Sequence, residues 1–512
     1  MGRGNERLGK MKLNYKRTIF VGFAFFLISA FWQAYDAIIP LALTNHFGLP
    51  QSVSGIVMSV DNVLAVFLLP VFGAISDRVS TRFGRRTPFI VVGTVAAVLS
   101  FVALTFVDNY QISALVGEGI VERYNLAKLA ETEALEALKA AVAGGNTAAI
   151  GAAEAAVAAA TASLEAINSD VLALTLSNVW PLVGFIAVLL VVLVAMAIFR
   201  SPAVALMPDV TIKPLRSKGN AIINLMGTAG GILVLVLGMV FGTAKNVHMQ
   251  YTGYVLAVVG IMLLGLAVFL LKVREPKWAE EMEEESERLG LNEVKNPDEK
   301  EEKAGPVRNL SRGELTSLLL ILASVALWYI GYNSITSKYS VYASNVLGFD
   351  FNMTLIIAQA AAVVSYIPVG MIASRLGRKK TILAGILMLA SAFFVGNFIN
   401  PDTPEFVMMP VFILAGMGWA TINVNSFPMV VELAKGGDVG KYTGYYYTAS
   451  MSAQIVAPIL SGALYDAFGM RLIFFAFGTV FVVLSFVTMF FVKHGDSVPT
   501  AARVREEMLE DN

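Results

Sequence analysis

The chain reads as an all-α membrane protein with twelve transmembrane helices in two six-helix, pseudo-symmetric halves, and three observations predict it. Of its 512 residues, 56% are hydrophobic and only 15% charged, a balance that suits a bilayer rather than a water-soluble core. The apolar residues gather in stretches of about 20, the length that crosses a hydrocarbon layer about 30 Å thick. A basic, glycine-punctuated loop, GAISDRVSTRFGRRT from Gly73 to Thr87, closes one such stretch and reappears in reduced form as GMIASRLGRKKT from Gly370 to Thr381. The same loop in the same setting marks a duplication.

Taken in order, the spans fall at about 18–40, 52–75, 88–108, 179–208, 217–243 and 252–273 in the first half. The second half supplies about 314–341, 352–374, 380–399, 406–432, 442–465 and 471–492. Each is apolar enough and long enough to cross. The first segment exceeds a signal-peptide core and lacks a small-residue cleavage site, so it is expected to stay as a helix.

Basic residues occupy alternate loops. Lys10, Lys12, Lys16 and Arg17 precede span one, Arg78, Arg82, Arg85 and Arg86 follow span two, and Lys213, Arg216 and Lys218 follow span four. Arg375, Arg378, Lys379 and Lys380 follow span eight, with Lys435 and Lys441 after span ten. This asymmetry predicts a multi-pass protein of the cell membrane with both termini cytoplasmic.

Two segments interrupt the pattern. Residues 274–312 are too charged for lipid and too long for a tight turn, so they form the expected cytoplasmic linker between an N-terminal half, 1–273, and a C-terminal half, 313–493. Residues 494–512 follow as a cytoplasmic tail. Residues 115–170 are rich in Ala and Glu. Leu126, Leu129, Leu135, Leu138 and Val142 precede a Gly-Gly-Asn turn, and Ile150, Val157, Leu164 and Ile167 follow it, at helical spacing. A helical hairpin on the outer face is predicted, read as a passive insertion of the kind loops tolerate, with a lid or partner-docking role as the alternative.

The repeated loop has its own physical logic. Gly73 removes a side chain where helices approach, Asp77 and Arg78 are placed to pair at the membrane surface, and Gly84, Arg85 and Arg86 turn the chain and anchor it to the anionic leaflet. In the second half Gly370 and Arg375 repeat Gly73 and Arg78, while Ser374 replaces Asp77. A second repeated pattern sets Asp209, Arg216 and Gly219 against Glu432, Lys441 and Gly444. Positive-inside charge alone accounts for the arginines but not for the glycines or the copy. A conformational latch built from these groups is the expected reading.

No cysteine is present, and His46, His248 and His494 are scattered without ligand spacing. Disulfides, thiolate chemistry and a metal site are therefore not expected. No nucleotide motif or catalytic triad is recognisable, so neither an enzyme nor a cofactor is expected, and nucleic acid is not an expected partner.

These loops resemble those of the major facilitator superfamily, and the resemblance covers nearly the whole chain apart from the 115–170 insertion and the tails. SDRVSTRFGRRTPFI (Ser76 to Ile90) and RSPAVALMPDV (Arg200 to Val210) are similar to the branch of sucrose/proton symporters that includes plant carriers, animal solute carriers and bacterial homologues. NSITSKYSVYASNVLG (Asn333 to Gly348) and KYTGYYYTASMSAQ (Lys441 to Gln454) resemble both that branch and the glycoside-pentoside-hexuronide symporters. The resemblance implies the major facilitator fold and a sugar carrier working by alternating access around a central site; a monomer is the expected state. Departures are visible too. Where plant sucrose carriers have an acid on helix four this chain has Leu193, where they have an arginine it has Val204, and the sodium-binding acids of melibiose-type relatives fall on Ala65 and Leu69.

An ionised group in hydrocarbon costs at least about 2.5 to 3.5 kcal/mol, which singles out Asp36, Asp61 and Arg200. Counting about 1.5 Å per residue from the inner ends puts Asp61 roughly 20 Å up span two and Arg200 roughly 13 Å up span four. Asp61 with Arg200 as charge partner is the expected proton-coupling pair, with Asp36 as the second choice; a structural ion pair is the alternative. Sugar recognition calls for amides and aromatic platforms, and Trp32, Gln33, Asn224, Tyr329, Asn333, Gln359, Trp419, Asn423 and Gln454 meet that description, against the alternative that such groups glue helices together. The expected function is proton-coupled uptake of a sugar or glycoside, an α-linked disaccharide such as maltose or sucrose. Efflux of a drug-like or metabolite substrate is a second possibility, and a non-transporting sensor or scaffold a third.

Overall fold

The computed structural model describes residues 13–212, 215–288, 311–431, 433 and 439–494. The first half contains α1 (Tyr15–Leu41), α2 (Gln51–Arg78), α3 (Thr87–Gly117), α4 (Ile120–Ala143), α5 (Thr147–Ser177), α6 (Trp180–Asp209), α7 (Arg216–Phe241), α8 (Thr252–Lys272) and α9 (Glu275–Arg288). The second contains α10 (Arg312–Thr336), α11 (Phe351–Leu376), α12 (Arg378–Gly396), α13 (Met408–Val431), α14 (Val439–Phe468) and α15 (Met470–Phe490).

Local chemistry explains the helix ends. Proline stands in the first turn of α3 and of α6, where no intrahelical N–H is lost. A reciprocal capping box joins Ser311 and Glu314 at the start of α10. The duplication extends beyond the basic loops: α1 runs into a π-helical turn at Ala42–His46, and α10, after a short turn at Tyr339–Val341, leads into another at Tyr342–Leu347. Such turns interrupt helices at functional positions.

Eleven helices among the described residues are long and apolar enough to cross a membrane. One of them is α5, which does not count as a span: it packs along α4, whose Glu122, Arg123, Lys128, Glu131, Glu133, Glu136 and Lys139 cannot lie in lipid. The remaining ten, with α11 and α14, make the twelve spans. Within the first half α1 packs on α7 and α3 on α6; within the second α12 and α11 pack on α13 and α10 on α15.

The halves meet at the end of the bundle that carries the hairpin. There α2 packs on α14 and α7 on α11. A Cβ on Gly55 would run into the Pro458 carbonyl, and one on Gly462 into the Gln51 carbonyl, so two backbones touch with no side chain between them. Asp466 on α14 accepts the backbone N–H groups of Gln51 and Ser52 at 2.7 and 2.8 Å, capping α2 from the opposite half. Asn45 and Asn345, one from each π-turn, share an amide hydrogen bond of 2.6 Å. This face is closed.

The hairpin departs from its predicted packing. Gly119, at φ +70°, bends α4 away from α3. Leu126, Leu129 and Val142 are exposed, whereas Ala134, Ala153 and Ala160 are buried, because two Ala-rich helices approach too closely for the leucine stripe to interlock. The base is anchored by Leu115, Ile120, Tyr124, Ile167 and Val171. Beneath it, His46 meets Asp108 at 2.6 Å, and Gln111 donates to the His46 carbonyl and to Thr175. His248 stacks on His46; burial, then His46 itself, pushes its imidazole down to about 4. At the far end Lys139 reaches Asp402 of the other half at 3.0 Å.

The segment read as a linker begins as a helix. In α9, Trp278 is buried, with the Arg17 guanidinium 5.3 Å from its ring, so the start of that segment belongs to the first half. Residues 289–310 and 495–512 lie outside the described residues.

Candidate central binding site

Below the closed face, between the halves, lies a cavity of about 570 Å³, within the range of roughly 300–1,000 Å³ usual for small-molecule sites. From the first half α1 presents Trp32, Gln33 and Asp36, α6 presents Arg200 and α7 presents Asn224. From the second, α10 presents Tyr332, Asn333 and Thr336, α11 presents Gln359 and Tyr366, and α13 presents Trp419. Trp32, Gln33 and Asp36 share one face of α1, at the three- and four-residue spacing of a helix.

The polar chemistry is sparse and placed at the join. Gln359 Nε2 donates to Gln33 Oε1 at 2.5 Å, closing the cavity with one amide from each half. Asn224 and Asn333 each donate to a carbonyl one turn earlier, at 2.8 Å, which leaves their amide oxygens as acceptors. Tyr332 stacks on Trp419 with centroids 6.0 Å apart, and Tyr366 meets the same indole edge-on at 6.4 Å. Aromatic faces flanked by amides can hold a ring that is apolar on its face and hydroxylated at its rim.

Of the nine predicted contact residues, six line the cavity: Trp32, Gln33, Asn224, Asn333, Gln359 and Trp419. Tyr329, Asn423 and Gln454 do not. The Tyr329 ring lies 3.9 Å from that of Trp328 and its hydroxyl meets Tyr446, while Gln454 donates to Ser450 on its own helix. Tyr332 and Tyr366 were not predicted; Tyr332 lies three residues from Tyr329, and its place beside Asn333 and one turn before Thr336, which line the same cavity, was the available signal.

The three intramembrane charges form one electrostatic cluster without a direct ion pair among the described residues. Arg200 and Asp61 act on each other, as do Asp61 and Asp36. Instead of meeting Asp61, the Arg200 guanidinium lies 5.4 Å from the Trp32 ring centre, a cation–π contact. Asp61 accepts from Asn62 and does not line the cavity, whereas Asp36 is exposed to it.

At the opposite end of the bundle Arg86 is the hub. It is buried, donating to Asp209 at 2.8 Å, to Ser76, and to Asp77 at 2.5 Å. Burial opposes its charge, and the two carboxylates outweigh that, raising its affinity for the proton. Asp77 thus pairs with Arg86 rather than with Arg78, which is exposed, because the turn at Gly84 folds Arg86 back over the end of α2. Arg85 stands 3.8 Å from Asp209, and Gly73 abuts Ser201 of α6. Arg216 donates to the carbonyls of Thr211 and Pro208, closing the end of α6, rather than to an acid.

Glu275 is the group that sequence reasoning missed. Its carboxylate accepts from the backbone N–H of Arg85, Arg86 and Thr87 and from the Thr87 hydroxyl, at 2.6 to 2.8 Å. Gly84, at φ +110°, is packed so closely against Glu275 that a Cβ would overlap it. Its place straight after Lys272 and Arg274 was the available signal. All these partners belong to the first half. In the second, Gly370 lies within α11, Glu432 lies outside the described residues, and so do the side chains of Arg375 and Lys441.

Two family profiles match the chain: "Major Facilitator Superfamily" over residues 150–427 and 351–509, and "MFS/sugar transport protein" over 20–121. The chain belongs to the major facilitator superfamily. It is a multi-pass membrane protein, and the members of that superfamily are transporters rather than enzymes. The human proton-associated sugar transporter A is 43% identical over 54 residues, 10% of this chain and 7% of that protein. The MFS-type transporter ppzB of Metarhizium rileyi is 27% identical over 114 residues, 22% of this chain and 23% of that one. The chain thus spans less than a quarter of the length of either curated relative. The inward-open xylose transporter XylE from E. coli superposes with a TM-score of 0.59 at 12% identity, covering 96% of this chain and 98% of that one. A D-xylose-proton symporter gives 0.58 at 14%, covering 94% and 99%. These likenesses concern the fold.

Proposed function

We propose that this superfamily member carries a sugar or glycoside inward by alternating access, coupled to a proton. The observation that carries the reading is the cavity itself. It opens between the halves, it is walled by the Tyr332, Trp419 and Tyr366 rings, and amides from both halves converge on it. Its volume of about 570 Å³ suits a disaccharide better than a single pentose, and the resemblance to the sucrose/proton symporter branch supplies the α-linked class. The family profile described as a sugar transport protein and the local identity with a proton-associated sugar transporter support the same class. The arrangement of basic loops supports a cell-membrane orientation with both termini and the Arg86 network cytoplasmic and the hairpin outside; a monomer is the proposed working unit.

Coupling is assigned to the cluster of Asp36, Asp61 and Arg200. With Arg200 charged, one ionised carboxylate balances the cluster, and the second acid is the seat of the transported proton. Asp36 faces the cavity and receives the proton; Asp61 and Arg200 set the field it moves in. The test compares pH-driven sugar accumulation with sugar counterflow in proteoliposomes. Asp36→Asn and Asp61→Asn, which mimic the protonated acids, should each lose accumulation while retaining exchange. Gradient-driven accumulation that survives both substitutions would remove the coupling assignment, and a panel of sugars that neither binds nor exchanges would remove the substrate class.

A further inference from the structure

One ionisable group in the closed outer face takes no part in the sugar or proton sites. Lys338 sits where span seven breaks, between the end of α10 at Thr336 and the turn at Tyr339–Val341. Its side chain is fully buried in the seam between the halves, and its Nζ donates to Ser54 Oγ on α2 at 2.6 Å. No carboxylate meets it directly among the described residues.

The groups around it are few. Asp466 on α14 acts on the lysine electrostatically, but its two oxygens are committed to the N–H groups of Gln51 and Ser52. Tyr465, also on α14, donates to the Ser334 carbonyl, and Tyr339 pairs with Thr354. On α1, Asp36 is linked through its backbone carbonyl, which accepts from Ser340 at 3.3 Å. On α2 the nearest acid along the helix is Asp61, two turns deeper and about 10 Å away along the axis.

An ammonium withdrawn from water with one hydroxyl as acceptor and no paired carboxylate is costly. Closing the outer face imposes that cost, and releasing the proton relieves it, because a neutral amine can accept the Ser54 hydroxyl in the same short contact. Opening pulls α2 away from α10 and α14 and returns the group to water, where the charged form is stable. We propose that Lys338 is a proton-sensing element of the outer gate: the charged lysine favours the open gate, and loss of its proton favours the closed one. A falling outer pH would then open the gate on the side that supplies protons. This inference rests on alternating access and not on which sugar is carried.

Because the chain has no cysteine, a pair introduced at Val53 and Phe468, both exposed beside the gate, can be spin-labelled without background. Distance distributions of the full-length protein in nanodiscs, recorded from pH 5 to 10, give the open-to-closed ratio. The ratio should rise as pH falls, by at most about tenfold per pH unit, the limit for one proton. Lys338→Met should stay closed and lose the response, and Lys338→Arg, charged throughout, should be more open than the parent at high pH. Asp466→Asn, which removes the compensating charge, should extend the response toward acid. A response that survives Lys338→Met but disappears in Asp36→Asn would overturn the proposal and give the effect to the coupling acids. If Lys338→Met fails to assemble, parent-like closure of Lys338→Arg or an unshifted response in Asp466→Asn overturns it equally.

Discussion

Glu275→Ala should destabilise the first half of the molecule far more than an ordinary loop substitution. One carboxylate accepts four hydrogen bonds there, three from the backbone at the start of α3 and one from a hydroxyl. Hydrogen bonds to a charged group contribute about 1.5 to 3 kcal/mol each when measured singly, and they do not add when they share an acceptor. The helix N-terminus, with its unpaired donors, adds a favourable field for a negative charge. Alanine leaves two buried N–H groups, of Arg86 and Thr87, and the part-buried one of Arg85 without that acceptor, so a loss of about 3 to 5 kcal/mol is expected. Glutamine keeps Oε1 and turns the other oxygen into a donor facing Thr87, so it should lose about half as much. At about 2 °C per kcal/mol for a unit of this size, Glu275→Ala should lower the melting temperature by roughly 6 °C or more. Thermal denaturation of the purified proteins in one detergent measures it, with Lys277→Ala as an exposed control on the same helix. A Glu275→Ala protein that melts with the control would refute the reasoning, since it would mean that water replaces the carboxylate at no cost.

Gly55→Val should hold the outer face open, because its Cβ would occupy the position of the Pro458 carbonyl and overpacking of this kind costs about 1 to 3 kcal/mol or more; labelling of a single cysteine near Asn345 should become fast, and unchanged protection would count against the closure described here. Replacing residues 128–162 of the hairpin by a short Gly/Ser turn keeps the base cluster and removes the Lys139–Asp402 contact. An exposed ion pair contributes about 0 to 1 kcal/mol, so uptake should stay within roughly fivefold of the parent, and its loss from well-folded protein would assign the hairpin a working role.

Much of this architecture is legible in the sequence because a bilayer imposes it. A helix must satisfy its own backbone in lipid, so every crossing leaves a stretch of about 20 apolar residues. Most breaks between those stretches and the Gly-Gly-Asn turn of the hairpin appear in the fold within a few residues of where the chain places them, although α3 runs on to Gly117, nine residues past its expected end at 108, and α5 to Ser177, past the expected end of the hairpin at 170. The same uniformity hides the faces. Along α10, Tyr329 and Tyr332 are chemically alike and three residues apart, yet only Tyr332 lines the cavity; residue type alone does not mark which of two tyrosines turns inward.

What the sequence determined by itself is therefore the class, the number of spans, the duplication and the short list of charges that cannot lie idle in lipid. What only the tertiary structure decided is who meets whom: that Arg86 takes Asp77 and Asp209, that Glu275 closes over the start of α3, that Arg200 rests on Trp32 instead of pairing with Asp61, and that Lys338 is enclosed where the halves touch. Spans depend on composition summed over a window, which survives the loss of any one position. Pairings depend on the rotation of one helix against another, and that is settled by close packing at residues such as Gly55 and Gly462, whose partners lie some 400 positions away along the chain.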